Sequence, residues 1–220
     1  MGTPHIVWDW NGTLLHDMGA VVAASNAAFA TIGVAPITLE TYRELYCFPI
    51  PRFYERLLGR APSADEWRVL DLAFQERYAE LSPACGLTDG AAELLAGWGA
   101  AGRSQSLLSM HEHERLVPQV RERGIEAHFL RVDGRIGPSD GTGKAGYLLR
   151  HLAALGESVD VRRTVLIGDA SDDAKAALNA GAQAVLYTGG SHTRAKLEVL
   201  GVPVVDSLAE AVELAERLVA

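Results

Sequence analysis

An α/β protein with a doubly wound parallel sheet, and an all-helical block inserted after its first strand, is what this sequence predicts. Three observations carry that expectation. A short apolar run, Ile6 to Trp8, delivers a carboxylate at Asp9 and breaks at Asn11-Gly12. Helical apolar spacing then continues from about residue 18 to 83 with no strand pattern. From Gly86 onward short apolar runs alternate with amphipathic stretches, the order that covers both faces of a parallel sheet with helices.

The elements follow in order. Residues 18–33 put Met18, Val21, Val22, Ser25, Phe29 and Ile32 on one helical face, with Gly33 as the stop. Thr38 caps a helix to about Tyr46, ended by Pro49, and Pro51 suits the first turn of a helix closing near Leu58-Gly59. Ser63 and Glu66 form a capping box before Trp67, Leu70, Phe74, Tyr78 and Leu81 at helical spacing. Thr88 or Asp89 caps a helix carrying Leu94, Leu95 and Trp98. A strand over 106–109 ends in the Ser109 hydroxyl, and a helix with Leu116, Val117 and Val120 closes at Gly124.

Residues 129–132 read as a strand entering a Gly-rich loop over 133–143, before a helix carrying Ala145, Leu148, Leu149, Leu152 and Leu155. Thr164 to Ile167 is a buried strand running into Gly168-Asp169, then a helix with Ala174, Ala177, Leu178 and Gly181 on one side. Strands over 184–187 and 202–205 precede a final helix with a Ser207–Glu210 capping box. Parallel sheets place their chemistry at the carboxyl ends of strands, where Asp9, Ser109, the loop before Lys144 and Asp169 fall. That convergence outweighs the alternative for the first stretch, a surface hairpin turning at Asn11-Gly12.

Composition narrows the functional classes. The 220 residues suffice for one substantial core, or a core plus a small appended unit. At 48% hydrophobic and 22% charged, the chain is too apolar for disorder, and it lacks a run of membrane length. A net charge of −8 argues against nucleic acid as a partner, while leaving small anionic substrates open to a site that is locally positive or holds a metal. Cys47 and Cys85 show neither metal-ligand spacing nor a disulfide framework, so two buried thiols in a reducing cytoplasm are expected. The start of the chain has no basic patch leading into an apolar segment, which also points to the cytoplasm. Nothing in the sequence sets an oligomeric state.

The constellation resembles the haloacid dehalogenase-like (HAD) hydrolase superfamily, in its phosphoglycolate phosphatase-like branch with a helical cap. Its first motif, Asp-x-Asp-Gly-Thr-Leu, appears as Asp9-Trp-Asn-Gly-Thr-Leu14; its second, a strand ending in Ser or Thr, as Leu107-Leu-Ser109. The third, a lone Lys before a helix, matches Lys144, and the fourth, Gly-Asp-x-x-x-Asp, matches Gly168-Asp-Ala-Ser-Asp-Asp173. The resemblance implies a Rossmann-like core over 1–16 and 84–220 with a helical cap over 17–83. It implies a Mg²⁺-dependent hydrolase, a phosphatase of small phosphorylated metabolites, with Asp9 as nucleophile forming an aspartyl-phosphate. Asp9, Asp169, Asp173 and the backbone carbonyl of Asn11 would hold the Mg²⁺.

Those residue types suit phosphoryl transfer, which needs a nucleophile, neutralised phosphate charge and in-line positioning. Crowded carboxylates call for a cation, Lys144 adds a point charge, and Ser109 with nearby groups at Met110 and His111 would hold phosphate oxygens. Bland alternatives stand beside these roles: Ser109 simply ending a strand, Asp172 and Asp173 capping a helix, His111 and His113 solvated in a first turn. The motif spacing selects Asp173 and leaves Asp172 as an extra surface acid. On the cap, Arg52 after Phe48-Pro-Ile-Pro51 is the candidate for a second anionic group of the substrate, against a solvated helix-start arginine.

One position departs from the pattern. In the family's phosphatases the second Asp of the first motif is the general acid and base, and here it is Asn11, which cannot deliver a proton. Three readings follow: a phosphatase with weakened turnover, a binding or regulatory protein on the same scaffold, and a dehalogenase whose halide leaves unprotonated. The intact acidic fourth motif counts against the last. Gly137 to Lys144 also imitates a phosphate-cradling P-loop, but its glycine spacing is one residue too long and Ala145 stands where a Mg²⁺-binding Ser or Thr belongs.

Overall fold

The computed structural model describes residues 3–137 and 143–219. Of the Gly-rich stretch and its P-loop look-alike, residues 138–142 lie outside the described residues. The chain divides into two compact units: one runs to Leu15 and resumes at Leu87, and the other is His16–Gly86.

The strands are β1 (His5–Trp8), β2 (Ser104–Glu112), β3 (Val132–Arg135), β4 (Thr164–Gly168), β5 (Gln183–Tyr187) and β6 (Val204–Val205). The helices are α1 (Met18–Ala30), α2 (Leu39–Leu45), α3 (Ile50–Leu58) and α4 (Ala64–Leu81) in the segment His16–Gly86, then α5 (Ala91–Ala100) and α6 (His113–Glu122). α7 (Ala145–Leu155), α8 (Ser171–Ala180), α9 (Arg194–Glu198) and α10 (Leu208–Leu218) complete the series.

The strands form one parallel sheet in the order β3-β2-β1-β4-β5-β6. The chain begins at the centre, steps outward through β2 and β3, then returns to the other side of β1 and steps outward again. That reversal opens a crevice at the carboxyl ends of β1 and β4, the usual ligand position in such sheets. β1 and β4 are buried at every residue, which is why they read as apolar runs without alternation. Val7, Leu108, Leu166 and Leu186 of the sheet pack with Leu148 of α7 and Ala174 and Ala177 of α8.

A chain of polar side chains is buried in this same core. Ser104 Oγ lies 2.8 Å from His5 Nδ1, and His5 Nε2 lies 2.8 Å from Ser106 Oγ. Ser106 Oγ lies 2.8 Å from His151 Nε2, whose Nδ1 lies 2.7 Å from Asp133 Oδ2. The ionised Asp133 only accepts, so His151 carries a proton on Nδ1. The Ser106 hydroxyl stands between the two rings and bonds both His5 Nε2 and His151 Nε2. Every donor meets an acceptor. Burial and the neighbouring His151 push His5 down to about 3. Burial works against ionised Asp133, yet hydrogen bonds from His151 and Arg131 hold it down at about 2.

The helical unit has its own core. α1 packs on α4, where Tyr78 Oη donates to Asp17 Oδ2 at 2.7 Å. Phe29, Tyr42, Phe53, Tyr54 and Leu70 are buried together, with Phe29 edge-on to Tyr54 at 5.8 Å between ring centres. The Ser63–Glu66 capping box forms in both directions, and Thr38 accepts from Thr41 N–H as its helix begins. Among the described residues of this unit there is no strand.

Several local expectations are corrected. β3 lies at Val132–Arg135, three residues beyond the expected strand start, because residues 126–128 form a 3-10 turn that carries Phe129 outside the ladder. β2 runs from Ser104 to Glu112, longer than the apolar run, because its polar ends are satisfied by His5 and by the turn at His111. α5 is preceded by Gly90 rather than a Thr88 or Asp89 cap, since the Thr88 hydroxyl donates to Thr13 O instead. At α10 only half the capping box forms: Ser207 accepts from Glu210 N–H, while Glu210 reaches Asp206 N–H. Cys47 and Cys85 are half-buried thiols, in no disulfide, rather than fully buried ones.

Candidate active site at the strand ends

Asp9 follows β1 directly, and its N–H donates to Ile167 O of β4 at 2.9 Å, so the two strand ends are stitched together at this carboxylate. The chain then turns sharply at Gly12 (φ +71°), where a side chain would be both strained and only 2.9 Å from Asp169 Oδ2. The hairpin alternative fails here, because β1 pairs in parallel with a neighbour on each side.

Three carboxylates and one ammonium meet in this place. Lys144, the residue before α7, is buried, and its Nζ donates to Asp9 Oδ1 and, at 2.6 Å, to Asp173 Oδ1. Carboxylate oxygens of Asp9, Asp169 and Asp173 all lie within 4.8 Å of one another. Thr13 divides its hydroxyl between Asp9 Oδ2 and Asp169 Oδ1, each at 3.3 Å. Asp173 Oδ2 accepts from Ala170 N–H at 3.0 Å, which orients it at the start of α8.

The electrostatics follow from this crowding. Burial pushes the Asp9 carboxyl well above the usual range; Lys144 opposes that, while Asp173 and Asp169 add to it. Burial and Asp173 lift Asp169 to about 6 against the hydrogen bonds it receives from Ser191. For Lys144, burial works against the charge, but Asp173 and Asp9 outweigh it and raise the ammonium above its ordinary value. One ammonium against three carboxylates leaves negative charge uncompensated. The donors are all oxygen, which suits a hard divalent cation such as Mg²⁺.

Of the residues singled out from sequence, Asp9, Lys144, Asp169 and Asp173 are therefore brought together. Ser109 is buried near the end of β2, and its oxygen accepts from His111 N–H at 3.0 Å, which leaves the hydroxyl proton to donate elsewhere. Met110 and His111 are half-buried in the same strand, and Asn11 lies in the turn after Asp9, bridged to Leu15. Arg52 is exposed in the first turn of α3, within the helical unit.

Three expectations are corrected. Asp172 is no extra surface acid: its Oδ2 accepts from Lys144 N–H at 2.7 Å and so fixes the backbone that carries the ammonium. His111 is not a solvated first-turn residue; it lies on β2 with Nε2 3.4 Å from Gln119 Nε2, and burial with Arg115 pushes it down to about 4. His113 accepts at Nδ1 from Gly134 N–H at 3.1 Å.

Sequence reasoning missed Thr13 and the segment Gly189-Gly-Ser-His192 after β5. Both the N–H and the Oγ of Ser191 donate to Asp169 Oδ2 at 2.6 Å. A Cβ on Gly190 would overlap that carboxylate. The available signal was a Gly-Gly-Ser-His stretch directly following a buried strand.

Comparisons with known proteins agree with this fold. A family model described as HAD-hydrolase-like matches residues 141–211. A phosphoglycolate phosphatase of Synechococcus elongatus is 26% identical over 194 residues, covering 87% of each chain. A solved structure from Lactobacillus delbrueckii, described as a phosphoglycolate phosphatase, superimposes with a TM-score of 0.82 at 20% identity, covering 98% of this chain and 99% of that one. Protein Tyrosine Kinase A of Mycobacterium tuberculosis gives a TM-score of 0.80 at 23% identity, covering 97% and 98%. The chain is thus similar to HAD-like hydrolases over residues 141–211 and to a phosphoglycolate phosphatase over most of its length, and it shares the fold of the solved structures. The shared fold of a protein named as a kinase is a reminder that the reaction must be argued from the site.

Proposed function

We propose that this protein is a Mg²⁺-dependent phosphatase of small phosphorylated metabolites, phosphoglycolate-like in substrate class, with turnover weakened by Asn11. The observation that carries this reading is the buried cluster of Asp9, Asp169 and Asp173 around Lys144 at the ends of β1 and β4. Asp9, Asp169, Asp173 and the carbonyl of Asn11 would hold Mg²⁺. When bound, the cation neutralises phosphate charge and relieves the carboxylate crowding.

The chain's own residues supply the rest. An Asp9 carboxylate oxygen attacks phosphorus, forming an aspartyl-phosphate as the ester P–O bond breaks and the alkoxide leaves. Water then adds to the acyl phosphate, releasing inorganic phosphate and restoring the Asp9 carboxylate. Lys144 opposes the upward push of burial on Asp9 and so favours the ionised form that attacks, and the Ser109 hydroxyl and the residues after it hold phosphate oxygens. His111, pushed down to about 4, is neutral at physiological pH and binds as a hydrogen-bonding group rather than as a cation. The alkoxide takes its proton from solvent, because the amide of Asn11 has none to give.

The helical unit over 17–83 acts as the cap that selects the substrate, with Arg52 meeting a second anionic group. The partner is a small phosphate ester rather than nucleic acid or a membrane, in keeping with the net charge of −8. No helix among the described residues is long and apolar enough to cross a membrane, and the proposed compartment is the cytoplasm.

A second reading, a binding or regulatory protein on the same scaffold, is favoured by Asn11 alone. A panel of phosphate esters with Mg²⁺ separates the two. Turnover that Asp9→Asn lowers at least about 10³-fold, and that Asn11→Asp raises about tenfold or more, supports the phosphatase. Tight binding of the esters without a trapped aspartyl-phosphate supports the second reading.

A further inference from the structure

Asp169 is held more elaborately than a surface carboxylate requires. Its Oδ2 receives two donors from one residue, the N–H and the Oγ of Ser191, each at 2.6 Å. Among the described residues its Oδ1 receives only the Thr13 hydroxyl, at 3.3 Å and shared with Asp9. Ser191 has one hydroxyl proton, and that proton goes to Asp169. The Ser191 oxygen must therefore accept from its other neighbour, His192 Nδ1, at 2.9 Å. The contact fixes His192 with its proton on Nδ1. Ser191, His192 and Asp169 are all buried, so solvent does not compete for these bonds.

We infer that Ser191 and His192 are positioning residues for the cation site, a donor relay that saturates Asp169 Oδ2 and presents Oδ1 as its single ligand atom. Groups of this kind raise affinity by orienting the ligating carboxylate before the metal arrives. Gly190 is part of the device, because only a residue without Cβ lets the Ser191 loop close over the carboxylate. The relay comes from β5, a strand end that contributes no ligand of its own. The inference rests on the proposed divalent-cation site, and its test separates the two.

Mn²⁺ binding to the metal-free full chain, read by electron paramagnetic resonance, is measured first on the wild type. Absence of millimolar-or-better binding there overturns the cation site itself, and the inference with it. Given wild-type binding, Ser191→Ala is expected to weaken Mn²⁺ affinity about 10- to 100-fold, whereas Ser191→Thr, which keeps the hydroxyl, stays within roughly threefold. Affinity of Ser191→Ala equal to the wild type overturns the inference while leaving the cation site standing. Long-range ¹H–¹⁵N correlation spectra of the metal-free protein supply a readout independent of metal and of folding losses in a variant. His192 is expected as the Nδ1–H tautomer, and an Nε2–H tautomer overturns the relay.

Discussion

The Ser104–His5–Ser106–His151–Asp133 chain and the Asp9–Asp169–Asp173–Lys144 cluster are both buried against the same sheet and both join neighbouring strands. In the first, each proton has one place to go, and the sole carboxylate sits at the end of the chain, also paired with Arg131. In the second, three carboxylates share one ammonium, and burial drives Asp9 and Asp169 upward. The satisfied chain costs little to bury and asks for nothing further. The crowded cluster stores an imbalance that only an added positive charge relieves, which is how the two kinds of buried polarity are told apart.

Breaking the crowded cluster has the largest expected effect. Lys144→Met takes the ion pair from two of the three buried carboxylates, Asp9 and Asp173, and should lower the stability of the metal-free protein by about 3–5 kcal/mol in chemical denaturation. Millimolar Mg²⁺ should recover part of that loss. A variant as stable as the wild type would show that the carboxylates are neutral already and the imbalance is not real.

Opening the satisfied chain costs less. Ser106→Ala removes the hydroxyl that bonds both His5 Nε2 and His151 Nε2, and should cost about 2 kcal/mol in the same measurement. Mg²⁺ should not restore it, and metal affinity should stay unchanged. Recovery by Mg²⁺ would merge the two clusters into one electrostatic system and remove the distinction.

The smallest effect sharpens the comparison by pH. His5 stands at about 3 in the fold and near 6.5 when unfolded, so on acidification the unfolded chain takes up a proton that the fold refuses. Its contribution is intact above about pH 6.5 and is lost progressively down to about 3, at no more than about 1.4 kcal/mol per pH unit. Proton uptake on unfolding, measured calorimetrically at pH 5, should fall by about one proton in His5→Gln. An unchanged uptake would mean that His5 titrates normally in the fold.

What was legible in the sequence tracks what local chemistry determines. Asp9, Lys144, Asp169 and Asp173 sit at positions where a strand ends or a helix begins, and that punctuation is visible in the chain. The central strands β1 and β4 were legible because complete burial leaves an uninterrupted apolar run. β3 was not, since its Val-Asp-Gly-Arg sequence is strand only through its neighbour and through His151 holding Asp133. Asp172 and Ser191 were missed or misread for the same reason. Each acts through one hydrogen bond or two to a residue more than twenty positions away, and spacing carries no trace of such a pairing. The histidine chain is the extreme case, with its members spread from His5 to His151.

The points where the chain leaves and rejoins the sheet unit are bonded to each other. Leu15 pairs antiparallel with Leu87, Thr88 N–H donates to Leu14 O, and His16 N–H donates to Gly86 O. The whole His16–Gly86 segment therefore hangs from a two-stranded clasp, as an insertion whose ends already meet. A segment joined in this way can be shortened, lengthened or exchanged for another without stretching the sheet, because closing the gap costs little chain entropy. The strand-end cluster can thus stay fixed while the segment clipped between Leu15 and Leu87 changes.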